Sequence, residues 1–256
     1  MGQMMANPQR IILLRGLSRE HRHWGRFPAL LQRAYPDSNI VCADLPGNGD
    51  RNLEKSPLSI AQTMRALRQE LKPLLNKGPL HLIALSLGGM VAMEWMNQYP
   101  DEIASAILMS SSFKGVSPFH QRLRPANYVL LIKTIFHPDI YQREKNILKM
   151  TSQLHRDEQV LLQQWLSYAQ QSPVSRMNVL RQLVAASRYR LPQQKPQLPV
   201  LLLSAQRDEL VSPQCSEDLS RHWNLPLQTH PGAGHDLSLD DEQWVLKQVC
   251  KWFDGL

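Results

Sequence analysis

The sequence is short of cysteine, and the three it has, Cys42, Cys215 and Cys250, are scattered. No CxxC pair occurs, and an odd, dispersed set argues against a disulfide framework and against a structural zinc site. A reducing compartment is the expected setting. Long apolar runs are lacking too: residues 11–14 and 128–132 fall far below the roughly 20 residues that a membrane-spanning helix needs. The first ten residues have no apolar centre of a secretory signal, and Gly2 is followed by Ala6 where a myristoylation motif carries Ser or Thr. These absences point to the cytoplasm. Glycine (12) and proline (18) are too sparse for a collagen-like or low-complexity chain. Gly47-Asn48-Gly49 lacks the Lys and the following Ser or Thr of a phosphate loop, so no nucleotide, flavin, metal or other cofactor is expected.

What is present suits one domain, or one domain with a sizeable insertion, in 256 residues. Hydrophobic residues at 43% and charged residues at 20% exclude a wholly disordered chain. The net charge of +7 is unevenly placed. Residues 114–195 hold 13 Lys and Arg against 4 Asp and Glu, a local charge of +9, and the remainder carries −2. Eight of those cations are arginines, whose planar fork suits carboxylate and phosphate. No helix-turn-helix, zinc-finger or aromatic RNA-binding pattern accompanies the charge, so a nucleic-acid partner is not expected. The bland reading is a solvated helical surface. The sharper one is a surface that meets an anionic substrate or an acidic carrier.

Short runs at 10–15, 40–44, 80–85, 103–109 and 198–204 read as strands, and 227–230 is a candidate for a short sixth. Helical spacing appears at 27–35, 88–98, 214–223 and 241–253, and in the series Ile60, Met64, Leu67, Leu71, Leu74. Ser56-Pro57 is the expected start of that last helix. Asp240, Asp241 and Glu242 are expected at the positive end of the C-terminal helix. Strands alternating with helices indicate a parallel sheet covered on both faces. The alternation breaks between 114 and 197, where 128–136, 140–150 and 158–169 look helical and no strand run appears.

The third strand runs straight into Ser86-Leu87-Gly88-Gly89-Met90 and a helix, with Ala84 two residues before the serine. Arg15-Gly16-Leu17 closes the first strand, with Trp24 beyond it, and Asp44-Leu45-Pro46-Gly47-Asn48-Gly49 follows the second. Asp208 stands just past the fifth strand, and Gly232-Ala233-Gly234-His235 precedes the last helix. Together these resemble the α/β-hydrolase superfamily: its G-x-S-x-G turn with Ala84 for the first glycine, its His-Gly loop, its D-x-P-G-x-G segment and its Ser, Asp, His order. The resemblance covers nearly the whole chain outside 114–195. It implies a mostly parallel sheet of about six strands with helices on both faces. A core of 1–113 and 196–256 would carry a helical cap, 114–195, inserted after the fourth strand.

The resemblance further implies a serine hydrolase that cleaves a carboxylic ester or thioester through an acyl-serine intermediate. Ser86 would be the nucleophile, His235 the base and Asp208 its orienting acid, with Leu17 and Leu87 N–H groups as oxyanion donors. Glu209 is the neighbouring rival for the acid; His81, His222 and His230 are rivals for the base; His21 and His23, near the oxyanion loop, are candidates to line the pocket, with a solvent-exposed place the favoured reading. Arg15 departs from the usual His and adds a cation beside Arg19, Arg22 and Arg26. The expected partners are a small acyl ester or thioester and an acidic acyl carrier or CoA, without nucleic acid or membrane. In size and layout the chain is also similar to pimeloyl-carrier-protein methyl ester esterases and to a lyase of menaquinone synthesis. That lyase has Arg where Met90 stands. A non-catalytic binding protein on the same fold is the alternative from another class.

Overall fold

The computed structural model describes residues 10–256. The expectations about a leader, a myristoylation motif and the chain before the first strand fall on residues 1–9 and lie outside it. Six strands form one sheet: β1 (Arg10–Leu14), β2 (Asn39–Ala43), β3 (Leu80–Leu85), β4 (Ile103–Met109), β5 (Val200–Ala205) and β6 (Leu227–His230). Their order is β2-β1-β3-β4-β5-β6, and every pairing is parallel. Because side chains alternate across a strand, the inner strands feed two cores. Ile12, Leu14, Leu82, Leu108 and Leu202 pack on one side with Met64, Val91 and Leu219. Ile11, Leu13, Ile83, Ile107 and Leu203 pack on the other with Phe27, Leu31, Val245 and Val249. Strands buried on both faces must be apolar throughout, which is why they read as continuous runs.

The helices between and after the strands are α1 (Phe27–Ala34), α2 (Ile60–Glu70), α3 (Lys72–Leu75), α4 (Leu87–Gln98), α5 (Phe119–Arg122), α6 (Tyr128–Phe136), α7 (Ile140–Thr151), α8 (Gln159–Gln171), α9 (Arg176–Arg188), α10 (Gln214–Trp223), α11 (Leu237–Asp240) and α12 (Glu242–Phe253). Three local expectations are corrected. The helix after β2 starts at Ile60, capped by Ser59, whose side chain accepts from Gln62 N–H. Ser56 is instead buried, and its Oγ donates to Pro46 O at 2.7 Å. The expected run through Leu74 breaks at Leu71, because Pro73 brings no N–H and clashes with the preceding turn. At the C-terminal helix Asp241 is the cap, accepting from Trp244 N–H at 2.9 Å, while Asp240 turns away into the loops of the site.

Five helices, α5 to α9, lie between β4 and β5. The ends of this segment are clasped: Leu191 N–H donates to Lys114 O at 2.9 Å and Lys114 N–H to Tyr189 O at 3.2 Å. Among the described residues, no helix is long and apolar enough to cross a membrane.

The strand order positions a site. The chain leaves β1 toward β2 and returns on its other side as β3, which opens a crevice at the carboxyl ends of β1 and β3. Gly88 lets α4 approach β1 there: a Cβ on it would lie 2.5 Å from Leu14 O and 2.7 Å from Arg15 O. Those are backbone atoms that cannot swing aside. Gly88→Ala should therefore lower the unfolding free energy by about 1–3 kcal/mol in urea titration. Gly232→Ala, whose added Cβ meets only His230 Cε1 at 3.8 Å, should stay within about 0.5 kcal/mol of the parent.

Candidate active site

Ser86 is the residue between β3 and α4. Its backbone has φ 57° and ψ −116°, a left-handed conformation that L residues avoid. The turn is held from both sides: Ser86 N–H donates to Met109 O at 2.8 Å, and Ser111 Oγ donates to Ser86 O at 2.9 Å. Gly16 packs close, since a Cβ on it would lie 3.2 Å from Ser86 Cβ. The first-turn N–H of Leu87 has no carbonyl available within α4.

His235 and Asp208 meet across two loops. The His235 Nδ1 to Asp208 Oδ2 distance is 2.7 Å, and both side chains are buried. The other carboxylate oxygen, Oδ1, accepts from Leu210 N–H at 2.9 Å and Val211 N–H at 2.8 Å. Burial works against the imidazolium, but the Asp208 carboxylate outweighs it, with Asp236 adding, and the His235 pKa is raised. Glu209 is exposed and pairs with Arg156 at 3.1 Å. Of the rival histidines, His81 lies 2.8 Å from Ser105 Oγ, and His230 Nδ1 accepts from Gly232 and Ala233 N–H. His222 is exposed on α10.

The loop after β1 is strapped down by residues far away in sequence. Ser18, at φ 52°, donates its N–H to Gln182 Oε1 at 2.9 Å. Gln182 Nε2 donates to Asn48 Oδ1 at 2.8 Å, and Asn48 Nδ2 to Arg19 O at 3.0 Å. The Asp-Leu-Pro-Gly-Asn-Gly segment is thus a brace for this loop. His23 is a buried wall residue rather than an exposed one, and its pKa is held well below 6.5 by burial and then by Arg19 and Arg15. His21 is half-buried, with Nδ1 2.7 Å from Asp44 Oδ2.

The cations near this loop do not stand free. Arg19 meets Glu144 of α7 at 2.7 Å and lies over the Trp165 ring, and Arg22 meets Glu20 at 2.6 Å. Arg26 pairs with Glu242. Arg15, in the position of the family's His, is buried over the Trp24 ring and pairs with Asp236 through both guanidinium ends, reaching Ser238 Oγ at 3.1 Å. Asp236 is also buried; burial pushes its pKa up, and Arg15 more than reverses this, leaving it below the usual carboxylate range.

Ser86, Leu17, Leu87 and His235 line one cavity of about 690 Å³, with Asp208 behind His235. Most of its wall is apolar, with Leu131, Ile135, Ile147, Leu180 and Leu183 from the inserted helices. A volume of this size takes a small ligand or an acyl chain. The wall from α9 was missed in sequence, because Arg176, Arg181 and Arg188 mask its apolar spacing. The usable signal was Ser175, which caps α9 by accepting from Asn178 N–H, followed by Val179, Leu180, Leu183 and Val184. Among the described residues, His21, Asp44 and Asp50 form the one group whose potential metal-ligand atoms lie within 4.8 Å of one another. Asp44 already accepts from His21 N–H at 2.7 Å and from Asp50 N–H at 3.0 Å, so its carboxylate serves as a loop clasp.

The sequence profile of the Alpha/beta hydrolase family matches residues 11–248. The chain belongs to that family. Human monoacylglycerol lipase ABHD6 is 24% identical over 254 residues, covering 93% of this chain and 73% of that protein. The mouse protein of the same name is 32% identical over 119 residues. That match covers 44% of this chain and 34% of the mouse protein, so it spans about a third of the relative's length. The enol-lactonase of Burkholderia xenovorans LB400 superposes with a TM-score of 0.78 at 17% identity, over 98% of this chain and 93% of that one. At that identity the likeness is one of fold.

The Arg15–Asp236 pair yields a stability prediction. Arg15→Met leaves a buried carboxylate without its cation and should cost about 3–5 kcal/mol at neutral pH. Asp236 in the parent has a depressed pKa, so its contribution is present above the unfolded value and lost as pH falls through the folded one. In Arg15→Met the unpaired carboxyl is pushed up instead, so the deficit against the parent should shrink as pH drops toward 4 (roughly the unfolded value). Arg15→Met/Asp236→Asn should recover much of the loss, as urea titrations of all three variants would measure.

Proposed function

We propose that the protein is a serine hydrolase that cleaves a carboxylic ester through an acyl-serine intermediate. The observation that carries this reading is the sharing of one apolar cavity by Ser86, on a left-handed turn, and His235, braced by buried Asp208. In this reading Ser86 Oγ attacks the acyl carbon while His235 Nε2 takes its proton and passes it to the departing alkoxide. Water then attacks the acyl-serine, again losing a proton to His235, and Ser86 recovers its own. Asp208 fixes the proton on Nδ1 and stabilises the imidazolium. Leu17 and Leu87 N–H groups are the proposed oxyanion donors, the second being an unpaired amide at the start of α4. The names of the relatives, a monoacylglycerol lipase and an enol-lactonase, point in the same direction.

The proposed division is a core of 1–113 with 196–256 and a cap of 114–195; the clasp between Lys114 and the 189–191 backbone supports it. A thioester, carried by CoA or an acidic carrier, is the second substrate reading, favoured by the +9 charge of the cap. Against the lyase reading stands Met90, a buried cavity residue without charge where an anion-holding Arg would be needed.

Ser86→Ala should abolish labelling by a fluorophosphonate probe and lower ester hydrolysis by several orders of magnitude. Undiminished labelling in that variant would remove Ser86 from the mechanism, and no labelling of the parent would favour a binding protein. Asp208→Asn should lower kcat by roughly 10⁴, while Glu209→Gln should change little. The acidic limb of kcat/KM should fall above the ordinary imidazole value, since activity needs neutral His235 and its pKa is raised. In Asp208→Asn that limb should move to lower pH, because the opposing effect of burial then prevails.

A further inference from the structure

Ten large hydrophobic side chains are exposed among the described residues, and seven of them lie between 114 and 195, about a third of the chain. They are not scattered. Val129, Ile132 and Phe136, exposed by 65%, 59% and 56%, stand at i, i+3 and i+7 on one face of α6. Exposed Phe119 extends this row at one end, its ring 6.1 Å from that of Tyr128. Exposed Met177 extends it at the other: its neighbour Arg176 donates to His137 O at 3.2 Å, just past Phe136. The result is a continuous apolar band along α6. Bands of this kind on a folded chain mark an interaction surface rather than chance exposure.

The charge around the band is mostly positive, with exposed Asp139, the cap of α7, just past its end. Residues 114–138 hold Lys114, Arg122, Arg124 and Lys133 and no Asp or Glu. Arg122 is turned inward onto the last carbonyls of α9, but Lys114, Arg124, Lys133 and Arg176 are exposed. Lys133 lies within the apolar stripe itself. A second copy of the chain is a poor occupant, because it would bring like charges together. An apolar row with interspersed cations matches an anionic lipid surface, where apolar groups enter the acyl boundary and long basic side chains reach back to phosphate. The band also adjoins the cavity. Leu131 and Ile135, on another face of α6, line it, and Phe119 and Arg176 are both exposed and cavity-lining.

We propose that the apolar, basic band of α6, from Phe119 to Met177, docks the protein onto an anionic phospholipid surface with the cavity mouth beside the lipid. This revises the expectation of no membrane partner: the contact is peripheral and involves no spanning segment. It stands apart from the catalytic reading, so the Ser86→Ala protein should dock as the parent does.

The test is sedimentation of the full chain with vesicles of phosphatidylcholine, with and without about 30 mol % phosphatidylglycerol. The parent should partition at least about ten-fold more strongly to the anionic vesicles, and high salt should weaken the binding. Ile132→Asp/Phe136→Asp should lose it by about ten-fold or more, and Lys133→Glu should weaken it; a parental urea midpoint would verify that each variant is folded. Neither Ile132 nor Phe136 lines the cavity, so hydrolysis of a water-soluble ester should be unchanged. Absence of parent binding, equal binding by the folded double variant, or capture only by an acidic acyl carrier protein would each overturn the proposal.

Discussion

The turn at Ser86 is the constraint to which the rest of the site is fitted. A left-handed serine costs on the order of 1–3 kcal/mol, and it persists only where neighbours over-determine it. Here Met109 O holds its N–H, Ser111 Oγ holds its carbonyl, and α4 begins immediately after it. For α4 to start there it must cross the end of β1 at a distance only glycine allows, which fixes residue 88. The same closeness seats Gly16 against Ser86 Cβ, and so fixes where the loop after β1 can run. The hydroxyl, the start of α4 and the neighbouring loop amides are therefore one unit, backed by the apolar core under α4.

The inserted helices belong to that unit more than their lid-like place in the chain suggests. Gln182 of α9 holds Ser18, Glu144 of α7 holds Arg19, and Thr151 O accepts from Asp236 N–H at 2.8 Å. Asp240 reaches back to Gln153 N–H at 2.9 Å, and Arg124 to Asp208 O at 3.0 Å. The loop after β1, the loop of Asp208 and the loop of His235 are each tied to the segment between β4 and β5. Several arginines that look in sequence like a free positive field are spent on these ties: Arg122 on α9 carbonyls, Arg181 on Ser56 O, and Arg156 on Glu209. The charge available to a partner is smaller than +9; Lys133 of α6 carries part of it, and exposed Lys114, Lys149, Arg188, Arg190 and Lys195 carry more.

The central strands β1, β3, β4 and β5 were legible in the sequence, because strands buried on both faces have to be apolar runs, and parallel ones have to alternate with helices; the edge strand β6, Leu-Gln-Thr-His, lacks that signal. The places of Ser86, Asp208 and His235 at the ends of strands or before a helix were legible for a related reason, and the fold puts Ser86 and His235 on one cavity with Asp208 against His235. The fourth and fifth inserted helices were not equally visible. Residues 159–171 keep an apolar spacing, whereas 176–188 interleave it with three arginines whose partners are remote. Ser56-Pro57 misled because a serine before proline suits a helix start, yet its hydroxyl is drawn to Pro46 O by tertiary packing. The roles of Gln182, Glu144, Asp236 and Asp240 had no local signal, since each acts on a loop distant in sequence.

Arg15 is where sequence and structure together explain a departure from the family pattern. In isolation it is an added cation at the mouth of an apolar pocket. In the fold it faces Asp236, which directly follows His235. His235 thus has two carboxylates near it, Asp208 and Asp236, and both raise its pKa. Both favour the protonated ring against the opposing effect of its burial, and a protonated imidazole cannot accept a proton. Arg15 pulls the other way. It also ties the loop after β1 to the loop of His235 through one buried pair, so the two sides of the cavity are held in register by the same contact that opposes protonation of His235. A neutral residue at position 15 would have to give up Asp236 as well, which is why the two positions are best understood as one device.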